Sequence, residues 1–506
     1  MSDPKYKTSP DKTAKMPSGI PFIIGNEAAE RFSYYGMRTI LIVFLTEYLR
    51  NKMGQLDVMT GEEAKVIYHN FMFSAYFFPV IGALISDLWL GKYRTIIGLS
   101  IVYCIGHLVL AFFETRTGIY IGLGLIAVGA GGIKPCVSAH VGDQFGNSNQ
   151  NLLSKVFGWF YFSINFGAFI STLLTPWLLI KYGSHIAFGV PGFLMFIATV
   201  FFWLGRNHFV HIPAKPKLIK SEISNSLGLK AIWKLILMYC FIIIFWAVYD
   251  QNGSDWVLQA KKMDRTLWGH TVSTQTGTGE IDGDSSSNNQ EGGILGDQIP
   301  EISEKEDVAV ASGETNKILG FIPKVLVLEP AQIQAANPIL VLLYIPLFTY
   351  VIYPFFGRFV KVTASFKIAG GLFLTIPVLL VIIHVQRMID AGFEPTLYWH
   401  IFAFVILTAA EVMIYQAGLE YTYTQAPNSL KSIMMSLYLL SIAMGNLLTA
   451  NVNAFIQNAD GTSKWSEIQY FSFFMALVGI SSVLFLIVSF FGVFKDKTYL
   501  QDQMEA

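Results

Sequence analysis

Apolar stretches long enough to cross a bilayer recur from one end of the chain to the other. About 20 mostly apolar residues are needed for a helix to span roughly 30 Å of hydrocarbon. The pattern therefore predicts an all-α membrane protein with twelve transmembrane helices, near residues 22–49, 63–89, 94–113, 118–138, 153–180, 186–206, 232–258, 338–357, 365–386, 397–423, 430–456 and 470–494.

The composition excludes most other classes of protein. Of the 506 residues, 53% are apolar and 14% are charged, and the mean hydropathy is +0.48. Soluble domains carry about 25% charged residues, so a soluble enzyme is not expected. The 35 basic residues balance 35 acidic ones, which leaves no excess charge for binding nucleic acid. The lipid bilayer is the expected surrounding of this chain.

Lysine and arginine concentrate in the short loops on the side of the N-terminus. By the positive-inside rule, both termini are expected to be cytoplasmic. The start of the chain lacks the apolar core of a signal peptide, so we expect the first span to insert uncleaved. The expected organisation is a tail (1–19), a six-helix bundle (20–206), a cytoplasmic linker (207–231), a second six-helix bundle (232–494) interrupted by an outer loop (261–334), and a tail (495–506).

The outer loop is rich in Gly, Ser and Asn, which is typical of an exposed spacer. Residues 318–328 could form a small strand or hairpin. The loop contains no N-glycosylation sequon, which favours the inner membrane of a bacterium as the location.

Motifs for catalysis and metal binding are missing from the sequence. The three cysteines lie inside apolar runs, and their spacing matches neither a disulfide framework nor a metal site. No nucleophile elbow, zinc-binding helix or phosphate-binding loop is present. The sequence therefore predicts no enzymatic activity, no cofactor and no metal.

The first span carries charges that are costly in a membrane. Glu27, Glu30, Arg31 and Arg38 lie within one apolar stretch, and each costs at least about 2.5–3.5 kcal/mol near the bilayer centre. With Tyr34, positions 27, 31 and 38 form one stripe at helical spacing. Such a stripe is expected to face a cavity. A structural ion-pair cluster that joins helices is the alternative.

Further polar residues recur in the middle of other spans. Lys134, Asp250 and Glu411 are isolated charges. Several polar and aromatic residues share helix faces, because they lie four or seven positions apart: His69 with Tyr76, Tyr161 with Asn165, Trp246 with Asp250, and Glu411 with Tyr415. Singly, most would be interhelical hydrogen-bonding groups. Together they predict a central polar cavity for a small zwitterion.

Three segments resemble the signatures of one transporter family. Residues 27–36 read EAAERFSYYG, similar to the E-x-x-E-R-F motif of the proton-dependent oligopeptide transporters, within the major facilitator superfamily. Residues 82–91 (GALISDLWLG) are similar to its loop signature after the second span. Residues 160–167 (FYFSINFG) are similar to its fifth-span signature. The resemblance covers nearly the whole chain outside the outer loop.

This resemblance implies two six-helix bundles that alternate access to a central site, with small peptides and protons as partners. Glu27, Glu30 and Arg31 would form the proton-coupling cluster, beside Lys134. Arg38 and Lys134 would bind the carboxylate of the peptide, and Glu411 its amino group. The remaining pocket residues would be Tyr34, Tyr35, Tyr76, Tyr161, Asn165, Trp246, Asn337 and Tyr415.

The sequence departs from the family pattern at a few positions. Asp250 stands where many bacterial members have Glu, and together with His69 it is more similar to the animal transporters. Tyr415 and Tyr438 stand where relatives often have Ser and Trp. We further expect His69 and Asp250 to bond to each other at the outer gate and to receive the proton. A carrier of nitrate or another small anion in the same superfamily is the alternative function.

Overall fold

The structure is a computed structural model that describes residues 6–146, 148–149, 152–212, 226–268, 326–425 and 431–494. The chain divides into two units. One unit comprises Met1–Arg265 and Leu328–Ala506, and it contains every helix that the structure describes. The other is Thr266–Val327, in which strands β1 (Thr266–Trp268) and β2 (Leu326–Val327) pair antiparallel.

Helices make up most of the larger unit. They are α1 (Ile20–Glu47), α2 (Gly61–Ile85), α3 (Lys92–Phe112), α4 (Arg116–Asp143), α5 (Leu153–Tyr182), α6 (Ser184–Leu204), α7 (Ser226–Tyr249), α8 (Asp255–Ala260), α9 (Ala336–Leu347), α10 (Tyr353–Phe356), α11 (Ala364–Asp390), α12 (Tyr398–Gln425), α13 (Lys431–Ile456) and α14 (Glu467–Phe490). Short 3-10 segments lie at Gly205–Asn207, Asp250–Gly253 and Pro330–Ala335, and π-helical turns at Ser86–Leu90 and Phe348–Ile352.

Two large hydrophobic cores, with a smaller cluster that contains Phe348, hold these helices together. Buried side chains of α1–α6, such as Phe44 and Phe188, form the first core. The second core comes from α7 onward and includes Phe245 and Phe404. The two groups of helices meet where α2 packs against α13 and α5 against α9.

We call the end of the helices where α1 begins, at Ile20, the near end. The opposite end, where α1 stops at Glu47, is called the distal end.

The described helices suit a bilayer in length and composition. Eleven of them are long and apolar enough to span a membrane. The 28-residue α1 has the length as well, but its four mid-helix charges lower its mean hydropathy. Large apolar side chains such as Phe193 and Tyr350 are exposed, as expected where a helix faces lipid. The chain is a multi-pass membrane protein, and its all-α fold agrees with the sequence prediction.

Two boundaries differ from those predicted. The helix predicted over 232–258 is broken, because Asp250–Gly253 form a 3-10 turn between α7 and α8. The helical segment predicted to begin at 338 begins at Pro330. There, Glu329 and Gln332 form a capping box ahead of the apolar run, so polar residues assigned to the outer loop belong to the helix. Of the hairpin predicted at 318–328, residues 318–325 lie outside the described residues.

Small residues let α2 and α4 approach closely. A Cβ atom added to Gly82 of α2 would overlap the backbone of Gly132 in α4. Likewise, a Cβ at Gly129 of α4 would lie 2.6 Å from the Cβ of Tyr103 in α3. Helices in membranes associate through such small-residue contacts. The glycine run before Lys134 is therefore a packing feature that brings α4 close to its neighbours.

We expect Gly82→Ala to lower the stability of the protein by about 1–3 kcal/mol, because overpacking forces backbone shifts. Gly124→Ala is the control: nothing lies within 4 Å of a Cβ added there, and alanine favours a helix over glycine by about 1 kcal/mol. Thermal unfolding of the purified variants in detergent measures both effects. Equal melting temperatures for the two variants would mean that α2 and α4 can accommodate the methyl group.

Candidate functional site

A cavity of about 750 Å³ lies between the two groups of helices. Its volume falls in the range of small-molecule sites, about 300–1,000 Å³. At the near end, Ser86, Lys92 and Ser436 are among its lining residues. Most of the predicted site residues line it, namely Glu27, Arg31, Tyr35, Arg38, Tyr76, Lys134, Tyr161, Asn165, Trp246, Asn337, Glu411 and Tyr415.

Four predicted residues lie behind this lining. Glu30 is fully buried beside Arg31. Tyr34 is also fully buried, and the prediction that it lines the pocket is wrong, since Lys134 and Met72 cover it. His69 and Asp250 are buried as well, and they belong to a polar network at the distal side of the cavity. The structure thus separates a layer that a ligand can touch from a layer that supports it.

The acidic cluster of α1 is built around one guanidinium group. Arg31 Nε lies 2.7 Å from Glu27 Oε1 and 2.7 Å from Glu30 Oε2. Glu27 is one helical turn before Arg31, so this pair lies on one face of the helix. All three side chains are at least nine-tenths buried. Two carboxylates therefore share one cation in a buried setting, where a charge without a partner is costly.

Lys134 stands between two tyrosine rings near this cluster. Its Nζ lies 3.9 Å from the ring centre of Tyr34 and 4.4 Å from that of Tyr76, which gives cation–π contacts on both sides. Among the described residues, Nζ has no hydrogen-bond partner. An ammonium group with three free donors on a cavity wall is suited to an anionic ligand.

A chain of hydrogen bonds closes the distal side of the cavity. Arg38 donates from Nη2 to Asp250 Oδ1 at 2.7 Å and from Nε to the Tyr68 hydroxyl at 2.7 Å. Asn446 Nδ2 donates to Asp250 Oδ2 at 2.6 Å. Its Oδ1 lies 2.8 Å from His69 Nδ1. These bonds join α1 and α2 of the first group to α13 and the 3-10 turn of the second.

The direct bond expected between His69 and Asp250 is not formed in this structure. Asn446 stands between them and bonds to both. The second ring nitrogen of His69, Nε2, lies 3.0 Å from Ser254 Oγ. Asp250 instead pairs with Arg38, which was assigned to the carboxylate of the ligand. His69 and Asp250 are therefore coupled through the side-chain amide of Asn446 rather than by a salt bridge.

Because Gly253 has no side chain, the contact between Arg38 and Tyr68 is possible. A Cβ atom at Gly253 would overlap the hydroxyl of Tyr68. That hydroxyl is the acceptor for Arg38 Nε. Gly253 in the 3-10 turn thus lets α2 approach the turn between α7 and α8. The Tyr68 hydroxyl can then hold Arg38 from the distal side.

The wall from the second group of helices centres on Glu411. Asn337 donates to Glu411 Oε2 at 2.7 Å and to Thr408 Oγ1 at 3.1 Å. The Tyr249 hydroxyl also bonds to the Glu411 carboxylate. Both neighbours are neutral, so Glu411 has no basic partner in these contacts. A carboxylate held in this way can receive an ammonium group of a ligand.

Aromatic rings form the remaining wall of the cavity. The ring centres of Trp246 and Tyr415 are 6.1 Å apart, and those of Tyr415 and Tyr438 are 5.9 Å apart. Tyr438 is fully buried behind Tyr415. On the opposite wall, Asn165 donates to the backbone oxygen of Tyr161 at 3.0 Å. These rings offer broad contacts to a ligand side chain without demanding one chemical type.

The residues of these networks that sequence reasoning missed include Tyr68, Tyr249, Ser254 and Asn446. Ser254 and Tyr249 flank the predicted Asp250 stretch, and Asn446 is a polar residue in the middle of an apolar run. These positions could have been marked as buried polar groups. Their partners come from distant segments, which periodicity does not reveal.

Comparison with known proteins agrees with this geometry. The chain matches the family model described as the POT family over residues 93–227, 220–276 and 317–469. It belongs to the POT family. Among relatives, "Peptide transporter family 1" of Drosophila melanogaster is 35% identical over 392 residues, which are 68% of this chain and 44% of that protein. "Solute carrier family 15 member 2" of Homo sapiens is 33% identical over 409 residues, 71% of this chain and 47% of the relative.

Solved structures of POT transporters share the fold. The crystal structure of the POT family transporter PepTSo is 31% identical, with a TM-score of 0.76, and covers 96% of this chain and 100% of that one. The fold is therefore that of the major facilitator superfamily, and the similar proteins are transporters rather than enzymes. The resemblance found in the motifs is confirmed. The chain spans about half the length of the curated relatives it matches.

Proposed function

We propose that this protein is a proton-coupled symporter that takes up di- and tripeptides by alternating access through the central cavity. One observation carries the proposal. The cavity presents Arg38 and Lys134 from α1 and α4, and the carboxylate of Glu411 from α12. A peptide is a zwitterion whose two ends need opposite charges at fixed places, while its side chains vary. The names of the relatives, peptide transporters among them, support the same substrate class.

In this proposal the carboxylate of the peptide binds Lys134 and Arg38. Lys134 has free donors, but Arg38 is bonded to Asp250. A peptide carboxylate therefore competes with Asp250 for the Arg38 guanidinium. Binding at Arg38 would weaken the bond between the two helix groups. This competition gives the ligand a physical means of acting on the distal gate, as a differential affinity for two states requires.

The proton would use two groups of residues. The distal group is His69 and Asp250, joined through Asn446. Histidine changes charge near physiological pH and suits the first step of uptake. The inner group is Glu27, Glu30 and Arg31 with Lys134. Two carboxylates around one guanidinium can take up and release a proton while one ion pair is kept.

We further propose that the near end faces the cytoplasm, with both termini inside and the bacterial inner membrane as the location. The segments 20–206 and 232–494 would rock as two bundles, joined by the linker 207–231, with 1–19 and 495–506 as cytoplasmic tails. The loop 261–334 would then be an outer spacer. In this orientation the hydrogen-bonded distal end is the closed outer gate.

Counterflow of labelled dialanine in proteoliposomes tests this function. We expect exchange of dialanine without a gradient, and accumulation when the outer medium is made acidic. Counterflow of labelled nitrate in the same proteoliposomes tests the alternative of an anion carrier. Exchange of nitrate together with no exchange of dialanine would overturn the proposal in favour of an anion carrier. Exchange without response to the pH gradient would overturn proton coupling alone.

We expect Glu411→Gln to weaken dipeptide binding by about ten- to a hundredfold, because a charge-assisted contact is worth about 1.5–3 kcal/mol. N-acetylated dipeptides lack the ammonium group, so their binding should change far less. Glu420→Gln on the same helix is the control, since Glu420 is exposed and pairs with Lys367. Competition against labelled dialanine measures each affinity. Equal losses for both ligand types would remove Glu411 from the amino-terminal site.

A further inference from the structure

A buried lysine lies at the distal end, outside the cavity lining. Lys65 of α2 is one helical turn before His69, and its side chain is only 2% exposed. Its Nζ lies 3.0 Å from Glu62 Oε1, 2.9 Å from Asp255 Oδ1 and 3.1 Å from Glu467 Oε1. The Tyr470 ring packs 5.2 Å from the same ammonium group. One cation therefore holds three carboxylates in a water-poor setting.

The three carboxylates belong to different parts of the molecule. Glu62 is on α2 with Lys65, three residues earlier in the chain. Asp255 begins α8 and Glu467 begins α14, both in the second group of helices. Lys65 therefore joins the two groups at the distal end, separately from the Arg38–Asp250 bond. We call Lys65, Glu62, Asp255 and Glu467 the distal latch.

We propose that Lys65 exchanges carboxylate partners as the distal end opens: it leaves Asp255 and Glu467 and keeps Glu62. The inference rests on the proposed alternating access, because that cycle requires the distal end to open. Glu62 moves together with Lys65, since both are on one rigid helix. Asp255 and Glu467 move with the other group.

Glu62, the carboxylate that Lys65 keeps, lowers the free energy needed to open the distal end. A buried charge that loses every partner costs about 3–5 kcal/mol, which would hold the distal end shut. With Glu62 beside it, Lys65 stays paired in the open state. Glu467 is already 38% exposed, so water can take the place of Lys65 there. Glu62 thus stabilises the open state relative to the closed one, although it contacts Lys65 in both.

This arrangement predicts opposite effects for two substitutions in the distal latch. Lys65→Gln leaves three carboxylates without a cation in the closed state, so it should raise the ratio of distal-open to distal-closed molecules about tenfold or more. Glu62→Gln removes the partner that Lys65 keeps on opening, so it should lower that ratio. A set of merely structural contacts would give the same direction for both variants.

Distances between spin labels report the conformation directly. We would place labels at Met53 and Ala459, which are exposed in distal loops of the two groups, after replacing the three native cysteines. Distance distributions are then recorded in lipid without peptide or pH gradient. The result is therefore independent of transport, and failure of peptide uptake would leave this test intact. Lys65→Gln should add a longer-distance population.

Lys261→Gln is the matched control. Lys261 also joins the two groups at the distal end, through Glu47 of α1 at 2.5 Å, but both side chains are partly exposed. Such exposed pairs contribute about 0–1 kcal/mol, so its distribution should stay close to that of the unsubstituted protein. Combining Lys65→Gln with Asp255→Asn and Glu467→Gln should restore much of the closed population. The two carboxylates that face Lys65 from the second group are then removed, and Glu62 lacks a cation in both states.

Two results would overturn the proposal. An unchanged distribution in Lys65→Gln would mean that Lys65 does not hold the distal end closed. An opening effect of Glu62→Gln would mean that Glu62 is one more closing contact rather than the partner kept on opening. If Lys65→Gln does not fold, Glu467→Gln tests the same contact more mildly, and it should shift the population toward the open state in the same direction.

Discussion

Lys134→Ala is expected to abolish proton-driven accumulation of dialanine, with a loss of about a hundredfold or more. The Lys134 ammonium lies on the Tyr34 ring, next to the Glu27–Glu30–Arg31 cluster. With it, two buried cations balance two buried carboxylates. Without it, one carboxylate has no counter-charge, and a buried group in that position neutralises by keeping a proton. The cluster then no longer changes charge during the cycle.

The measurement separates coupling from binding. Accumulation is followed in proteoliposomes with acidic outer medium, and counterflow is followed without a gradient. Lys155→Ala is the control, since Lys155 is exposed and packs on Trp159 outside the cavity lining. It should leave both rates unchanged. Accumulation at the normal level in Lys134→Ala would show that the cluster couples protons without this lysine.

Asp250→Asn is expected to reduce uptake by about a hundredfold or more as well, by a different route. Arg38 would keep its charge and lose its only acidic partner among the described contacts. Breaking a buried ion pair in this way costs about 3–5 kcal/mol, and the cost falls on the distal-closed state. The loss of uptake in His69→Gln should be smaller. The glutamine amide can still bond to Asn446, but it cannot take up a proton as histidine does.

Uptake at a series of outer pH values distinguishes these two variants. His69→Gln should lose the stimulation of uptake by acid while exchanging dialanine at a near-normal rate. Asp250→Asn should be slow at every pH. Asp460→Asn, in an exposed distal loop, provides the control for loss of an acidic residue. Profiles for His69→Gln that match the unsubstituted protein would show that the proton enters without His69.

The sequence was sufficient to predict the helices and most of the cavity lining. Long apolar runs have a single stable outcome in a bilayer, because every backbone group must be satisfied within a helix. Charged side chains in the middle of such runs are costly in lipid, so they face the interior of the helix bundle or a water-filled cavity. This is why Glu27, Lys134 and Glu411 could be assigned to a common cavity before any contact was known, and the structure does bring them to its lining.

Contacts between side chains of different helices could not be predicted in the same way. Helical spacing placed Tyr34 on the same stripe as Arg31 and Arg38, but spacing does not reveal which neighbouring helix covers a residue. Lys134 of α4 covers Tyr34, and Tyr35 faces the cavity instead. The bond expected between His69 and Asp250 could not be tested by spacing either. Both lie at the distal side, but a third residue from α13 stands between them.

Gly253 has a consequence for how substrate affinity can evolve. The residue is not itself among the residues that line the cavity, and a Cβ atom there would overlap the Tyr68 hydroxyl that fixes Arg38. Any side chain at this position moves Tyr68, and with it the guanidinium that would meet the peptide carboxylate. Selection for tighter or weaker peptide binding can therefore act on position 253 without replacing any residue that would contact the ligand. A screen of random variants for changed affinity would recover this glycine beside the lining residues, as a site that adjusts binding from behind the pocket.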